Sequence, residues 1–334
     1  MARQAFDKRV AALESLRSEP DHIATREHLR KALTDRNNFL VARAASIAVD
    51  LHCDDLISDL LAAYDRSFVD PAKSDPQCLA KLALARALRD LGHHAAEPYI
   101  RGVTYVQLEP AWGGRADTAA SLRGTCARAL TECFLDDLET LGYLTDALAD
   151  PDKTVRIDAA IAIDQLNRAE GALLLRLKLL VGDPEADVMG QCCTSLLSLA
   201  PDGAVAFVSR FLRRRDEEVQ VEAANALAQC RLVEAISVLR QLWQEELPSI
   251  DVRRAILIGL GASALPESAE FLLSVIADAS QTLAETAITS LSTSRFAGEM
   301  RARAAESVAA RANPALQRQF EEKFNVRTSA VELP

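Results

Sequence analysis

Val155-Arg156-Ile157-Asp158-Ala159-Ala160-Ile161-Ala162-Ile163 carries a pattern that occurs eight times along the chain. Read as a helix, it puts positions 1, 5, 8, 9 and 12 on one face, at the 3.6-residue period of a buried stripe. The register starts again at Val41, Ala80, Leu122, Val155, Val188, Val219, Val252 and Leu283. Successive intervals are 39, 42, 33, 33, 31, 33 and 31 residues, the near-constant period of a stacked repeat array.

Position 8 is small in every copy: Ala48, Ala87, Ala129, Ala162, Ser195, Ala226, Gly259 and Ser290. A long side chain there would hold neighbouring helices apart, so this column marks their closest approach. Position 9 is always aliphatic, from Val49 and Leu88 through Leu260 and Leu291. Unrelated amphipathic helices would not keep both columns.

Composition agrees. No Gly-, Ser- or Pro-rich linker divides the 334 residues, hydrophobic residues are 49% and aromatics only 5%. Helices packed through Ala, Leu and Val account for this, and no β-rich segment stands out. The expected architecture is all-α: an α-α superhelix, one solenoid domain over 1–334 with about eight helical hairpins. A capping helix is expected over 1–20, the repeats over 21–295, and a C-terminal capping helix and tail over 296–334. Asp precedes position 1 by five residues at Asp75, Asp117, Asp150, Asp183 and Asp278, placed to accept backbone N–H bonds where the next helix starts.

The first seventeen residues contain charges throughout, unlike a signal peptide. The apolar run 171–182 is broken by Arg176 and Lys178 and is too short to cross a bilayer. A soluble, cytoplasmic protein with no membrane partner is expected. Seven cysteines are an odd number for a disulfide framework. Cys126, Cys192, Cys193, Cys133 and Cys230 fall on or beside the buried stripe, which reads as core filling.

Asp150-Pro151-Asp152, followed by Val155-Arg156 and Ala159-Ala160, resembles a HEAT repeat of the bacterial, phycobilisome-lyase-like kind. Val188, Val219 and Val252-Arg253 continue the likeness over roughly residues 21–295. It implies a right-handed superhelix of helix pairs, with the Val155-type helices lining the concave side. The family's usual role is to hold a protein or peptide, while some relatives bind DNA, attach bilins or perform metal-dependent chemistry. The family's Arg at position 2 is kept at Arg123, Arg156 and Arg253 and approximated by Lys81. Ala42, Met189, Gln220 and Ala284 replace it, which breaks the expected Asp/Arg ladder.

On that geometry, positions 3, 7 and 10 form the working surface. They bring Arg86, Arg89 and Arg128 to one end of a groove that continues past Ile161, Asn225 and Ile258, suited to an acidic or amphipathic peptide. The alternative is that the isoleucines contact an adjacent repeat. The insertion 102–121 adds Tyr105 and Trp112, either as an exposed aromatic contact close to Arg86 and Arg128 or as a cover for the array edge. The shorter insertion, 66–77, reads as a plain connector.

Chemistry is sparse. There is no H-E-x-x-H, G-x-S-x-G or phosphate-binding G-K-[ST] motif, and His94 with Glu97 lacks further metal ligands. Gly259-Leu260-Gly261 follows a helix, so its likeness to a dinucleotide fingerprint is accidental. Arg213-Arg214-Arg215 ends a helix and is followed by Asp216-Glu217-Glu218. No catalytic, cofactor-binding or metal residue is assigned. The net charge of -10 opposes non-specific nucleic-acid binding. The sequence therefore points to a non-catalytic protein-binding scaffold. Two alternatives stand beside it: a nucleic-acid enzyme resembling helical-repeat DNA glycosylases, with Asp164 as its acid, and a bilin lyase-like protein.

Overall fold

The register becomes packing. Positions 1, 5 and 8 are buried in all eight copies, as is position 9 except for the half-buried Val49. Each fully buried leucine in these columns contributes about 1.5–3 kcal/mol of transfer free energy, taken as an upper estimate. The computed structural model describes residues 2–18, 23–245 and 248–325. The Glu19-Pro20 break, the start of the 21–33 segment and the tail after Asn325 lie outside the described residues.

The chain is an all-α solenoid of helical repeats, and its contacts group into two compact units, 1–168 and 169–334. In the first unit, α1 (Ala2–Ser15) is followed by α2 (Ile23–Leu33), α3 (Asn38–Asp50), α4 (Ile57–Ser67) and the one-turn α5 (Pro71–Ser74). Next come α6 (Leu79–Asp90), α7 (Glu97–Val103), α8 (Ala120–Leu130), α9 (Asp137–Leu148) and α10 (Lys153–Leu166). The register helices α3, α6, α8 and α10 stack in that order, while α2, α4, α7 and α9 each pack on the register helix of their own repeat. Helix α1 also packs on α3, where Ile47 is fully buried. Position 7 is therefore not an open position in the first copy, contrary to expectation.

The second unit contains α11 (Ala169–Val181), α12 (Ala186–Leu199), α13 (Pro201–Val208), α14 (Glu217–Gln229) and α15 (Val233–Gln244). It continues through α16 (Ile250–Ala262), α17 (Pro266–Asp278), α18 (Gln281–Thr293), α19 (Ala297–Ala310) and α20 (Pro314–Asn325). Here α12, α14, α16 and α18 stack, and α20 takes the next place against α18 with Leu316 fully buried.

Four of the five turn carboxylates bond the chain entering the next helix. Ala80 N and Lys81 N donate to Asp75 at 2.7 and 2.9 Å, Ala119 N to Asp117 at 3.0 Å, Asp152 N to Asp150 at 2.8 Å and Glu185 N to Asp183 at 2.9 Å. Helix α18 has Ser280 at its N-cap, without a side-chain bond to the helix start.

Both insertions differ from their sequence readings. Within 102–121 the chain forms an antiparallel hairpin, β1 (Leu108–Ala111) with β2 (Gly114–Asp117), joined by Trp112-Gly113. Gly113 has φ +89°, which suits a two-residue hairpin turn. The 66–77 connector is also structured. It contains α5, the fully buried Asp75, and left-handed backbone at Asp70 and Gln77.

Candidate functional site

The arginine cluster is assembled by three successive register helices. Helix α6 supplies the exposed Arg86 and the half-buried Arg89, α8 supplies the half-buried Arg128, and α10 supplies Asp158. Arg128 Nη1 lies 3.7 Å from Asp158 Oδ1, while Arg128 Nε is buried without a hydrogen-bond partner. Arg89 directs Nε and Nη2 to Asp90 Oδ1 at 2.9 and 2.8 Å. Burial raises the Asp158 pKa above the usual carboxylate value. The fields of Arg128, Arg86 and Arg89 oppose that rise without cancelling it.

Asp158 sits where it does because α8 has a glycine beneath it. A Cβ on Gly124 would stand 2.2 Å from Asp158 Oδ2. Periodicity does not single out Asp158, because position 4 belongs neither to the buried stripe nor to the outward positions 3, 7 and 10. The sequence pattern points to Asp164 as the acid; the carboxylate placed against Arg128 is that of Asp158.

Tyr105 and Trp112 have separate roles. Trp112, at the hairpin tip, has 106% relative exposure, so it neither covers the array edge nor touches the arginines. The hairpin is rooted beside Lys81 and Arg123, at the N-terminal ends of α6 and α8. Arg86 and Arg128 each lie five residues farther along, about 7.5 Å of helix rise. Tyr105 belongs to the root. Its ring meets Phe68 edge-on at 4.8 Å, and its hydroxyl donates to Gln107 Oε1 at 3.1 Å.

Gln107, which sequence reasoning overlooked, is the centre of that root. Its Oε1 also accepts from Lys81 Nζ at 3.0 Å and from Cys78 Sγ at 3.3 Å, and its Nε2 donates to Asp75 O at 2.9 Å. Lys81 and Asp75 form an ion pair at 3.1 Å with both side chains at 0% exposure. Burial pushes the neighbouring Cys78 thiol up to about 12, against the field of Lys81. On the other side, Arg123 grips Asp150 through two bonds of 2.7 and 2.9 Å and Asp117 through one of 2.6 Å. Part of the Asp/Arg ladder is thus built in the first unit, by Lys81 with Asp75 and by Arg123 with Asp117 and Asp150, while Ala42 leaves the first repeat without it.

The remaining candidates divide between the units. Ile161 is half-buried on α10; Asn225, also half-buried, accepts from Gln229 Nε2 at 2.6 Å; Ile258 is 60% exposed on α16. The first unit therefore holds Arg86, Arg89, Arg128 and Ile161, whereas Asn225 and Ile258 belong to the second. Cys192 and Cys193 are buried, and burial lifts both thiols, Cys192 to about 12. Arg213 pairs with Glu245 at 2.7 Å rather than with the adjacent acidic run.

A family model for HEAT repeats matches residues 173–250. The chain is similar to the structure of the complex of CpcE and CpcF of phycocyanin lyase from Nostoc sp. PCC7120, at 17% identity over 87% of this chain and 96% of that one, with a TM-score of 0.37. An engineered protein aligns at 16% identity over 90% and 88% of the two chains, with a TM-score of 0.33. Human deoxyhypusine hydroxylase aligns at 19% identity over 77% and 90%, with a TM-score of 0.30. No curated protein sequence gives a significant match. These structural likenesses concern architecture alone.

Proposed function

We propose that this chain, a HEAT-repeat protein, is a non-catalytic cytoplasmic scaffold that holds an acidic segment of a partner protein on the register helices of its first unit. The observation that carries the reading is the placement of Arg86, Arg89 and Arg128 on two adjacent register helices, with Arg128 3.7 Å from the half-buried Asp158 and the fields of all three acting on it, in a chain whose net charge is -10. Guanidinium groups match carboxylates in geometry, and a cationic patch on an acidic protein gives charge selectivity through attraction at one place and repulsion elsewhere. Arg86 is exposed and Arg128 is half-buried beside Asp158. Trp112 offers a second, separate contact, because an exposed indole is a large apolar anchor for a partner pocket.

The test is affinity capture from source cells with the native chain and with Arg86→Glu/Arg128→Glu, both verified as folded by circular dichroism. A protein captured only by the native chain, and released by salt, supports the reading. A partner retained equally by both chains rejects the arginine face as its site.

A further inference from the structure

The first interval of the repeat, 39 residues against 31–33 after the third copy, builds a wall. After α4 the chain turns through Asp70, whose φ of +49° is left-handed, runs through α5 and returns to α6 at the buried Asp75. Beneath this arc is a cavity of about 540 Å³. That volume lies within the range of about 300–1,000 Å³ common to small-molecule sites.

The floor is apolar, formed by the buried Leu33, Val41, Ala63 and Ala80. Polar groups close to it are satisfied within the protein. Ser67 Oγ donates to Tyr64 O at 2.6 Å, and Asn38 Nδ2 donates to Asp75 Oδ1 and Pro76 O at 2.9 Å each. The floor therefore offers dispersion contacts and little hydrogen bonding to an occupant.

Charge is concentrated at the mouth, where Arg36, Arg66 and Lys73 stand with Asp35 and Asp70. Both carboxylates are already engaged, Asp35 by Arg9 and Asp70 by Lys73 at 3.0 Å. Arg66 gives Nη2 to Leu33 O at 2.6 Å, and Arg36 is exposed. The mouth thus has surplus positive charge above an apolar floor.

We infer that this cavity binds a small organic anion with an apolar body, the body on the floor and its carboxylate at Arg36 and Arg66. Charge and shape select the same class. A neutral apolar molecule would gain no charge attraction from Arg36 and Arg66, and a compact inorganic anion would leave the floor empty. The site is independent of the Arg86–Arg128 face and of any role for it.

The probe is 2-naphthoate, followed by ligand-observed NMR, with 2-naphthamide as its neutral counterpart. Saturable binding of the carboxylate is expected, weakened at least about tenfold for the amide and in Arg36→Glu. Ala63→Leu, which fills the floor, should abolish it while circular dichroism remains native. If that variant fails to fold, perturbation of the Ala63 and Ala80 methyl resonances of the native chain by naphthoate supplies the same location. Absence of saturable binding below about 10 mM overturns the inference. So does equal binding of acid and amide, or naphthoate shifts that spare both methyl groups.

Discussion

The α8–α10 junction and the α12–α14 junction use the same fitting in opposite electrostatic settings. In each, a carboxylate at position 4 lies over a glycine at position 3 of the preceding copy: Asp158 over Gly124, and Glu222 over Gly190. A Cβ would approach Asp158 Oδ2 to 2.2 Å in the first case and Glu222 Oε2 to 2.3 Å in the second. Burial raises the pKa of both acids. Three arginines oppose the rise at Asp158, whereas Asp187 reinforces it at Glu222. The shared glycine and carboxylate belong to repeat packing; the arginines are what the first unit adds.

The first unit also places charge inside its root, and removing that charge should give the largest effect. Lys81→Ala leaves Asp75 buried without its cation and should cost about 3–5 kcal/mol, read by chemical denaturation. A cost below about 1 kcal/mol would mean that water replaces the lysine and that the ion pair does not secure the hairpin.

Gly124→Ala and Gly190→Ala test whether the fitting is equivalent in the two units. Each should cost about 1–3 kcal/mol, because the added methyl must displace the overlying carboxylate. Asp158→Ala should recover much of the Gly124→Ala loss, and Glu222→Ala much of the Gly190→Ala loss. Additive double mutants would show that the glycines serve other neighbours.

The electrostatic contrast should appear in pH dependence. A carboxyl whose folded-state pKa is raised binds protons more readily in the folded protein, so its contribution to stability falls as pH rises from its unfolded value through its raised folded value. Glu222→Gln removes that penalty and should raise Tm slightly at pH 7 while flattening the pH profile. Asp158→Asn should gain less, since it also loses attraction to Arg128. Equal gains from both would erase the distinction between the junctions.

The smallest effect on stability is expected for Trp112→Ala. A fully exposed tip residue should change stability by no more than about 0.5 kcal/mol. If the scaffold uses its hairpin, partner binding will fall while the melting curve stays fixed. Unchanged binding would confine recognition to the arginine face.

Sequence by itself determined the repeat. Position 8 had to be small, position 9 had to be aliphatic, and a turn carboxylate preceded most register helices, because helix period and helix starts are local properties of the chain. The same period assigns Arg86, Arg89 and Arg128 to the outward register positions 7 and 10. It did not identify Asp158, Gln107 or the cavity under residues 66–77, because each depends on where separate segments meet. Gln107 Nε2 reaches Asp75 O 32 residues away, and Asp158 occupies space left by a glycine on another helix. Only the tertiary structure decided those pairings, since burial makes distant polar groups answer one another and nothing in a local period specifies which ones meet.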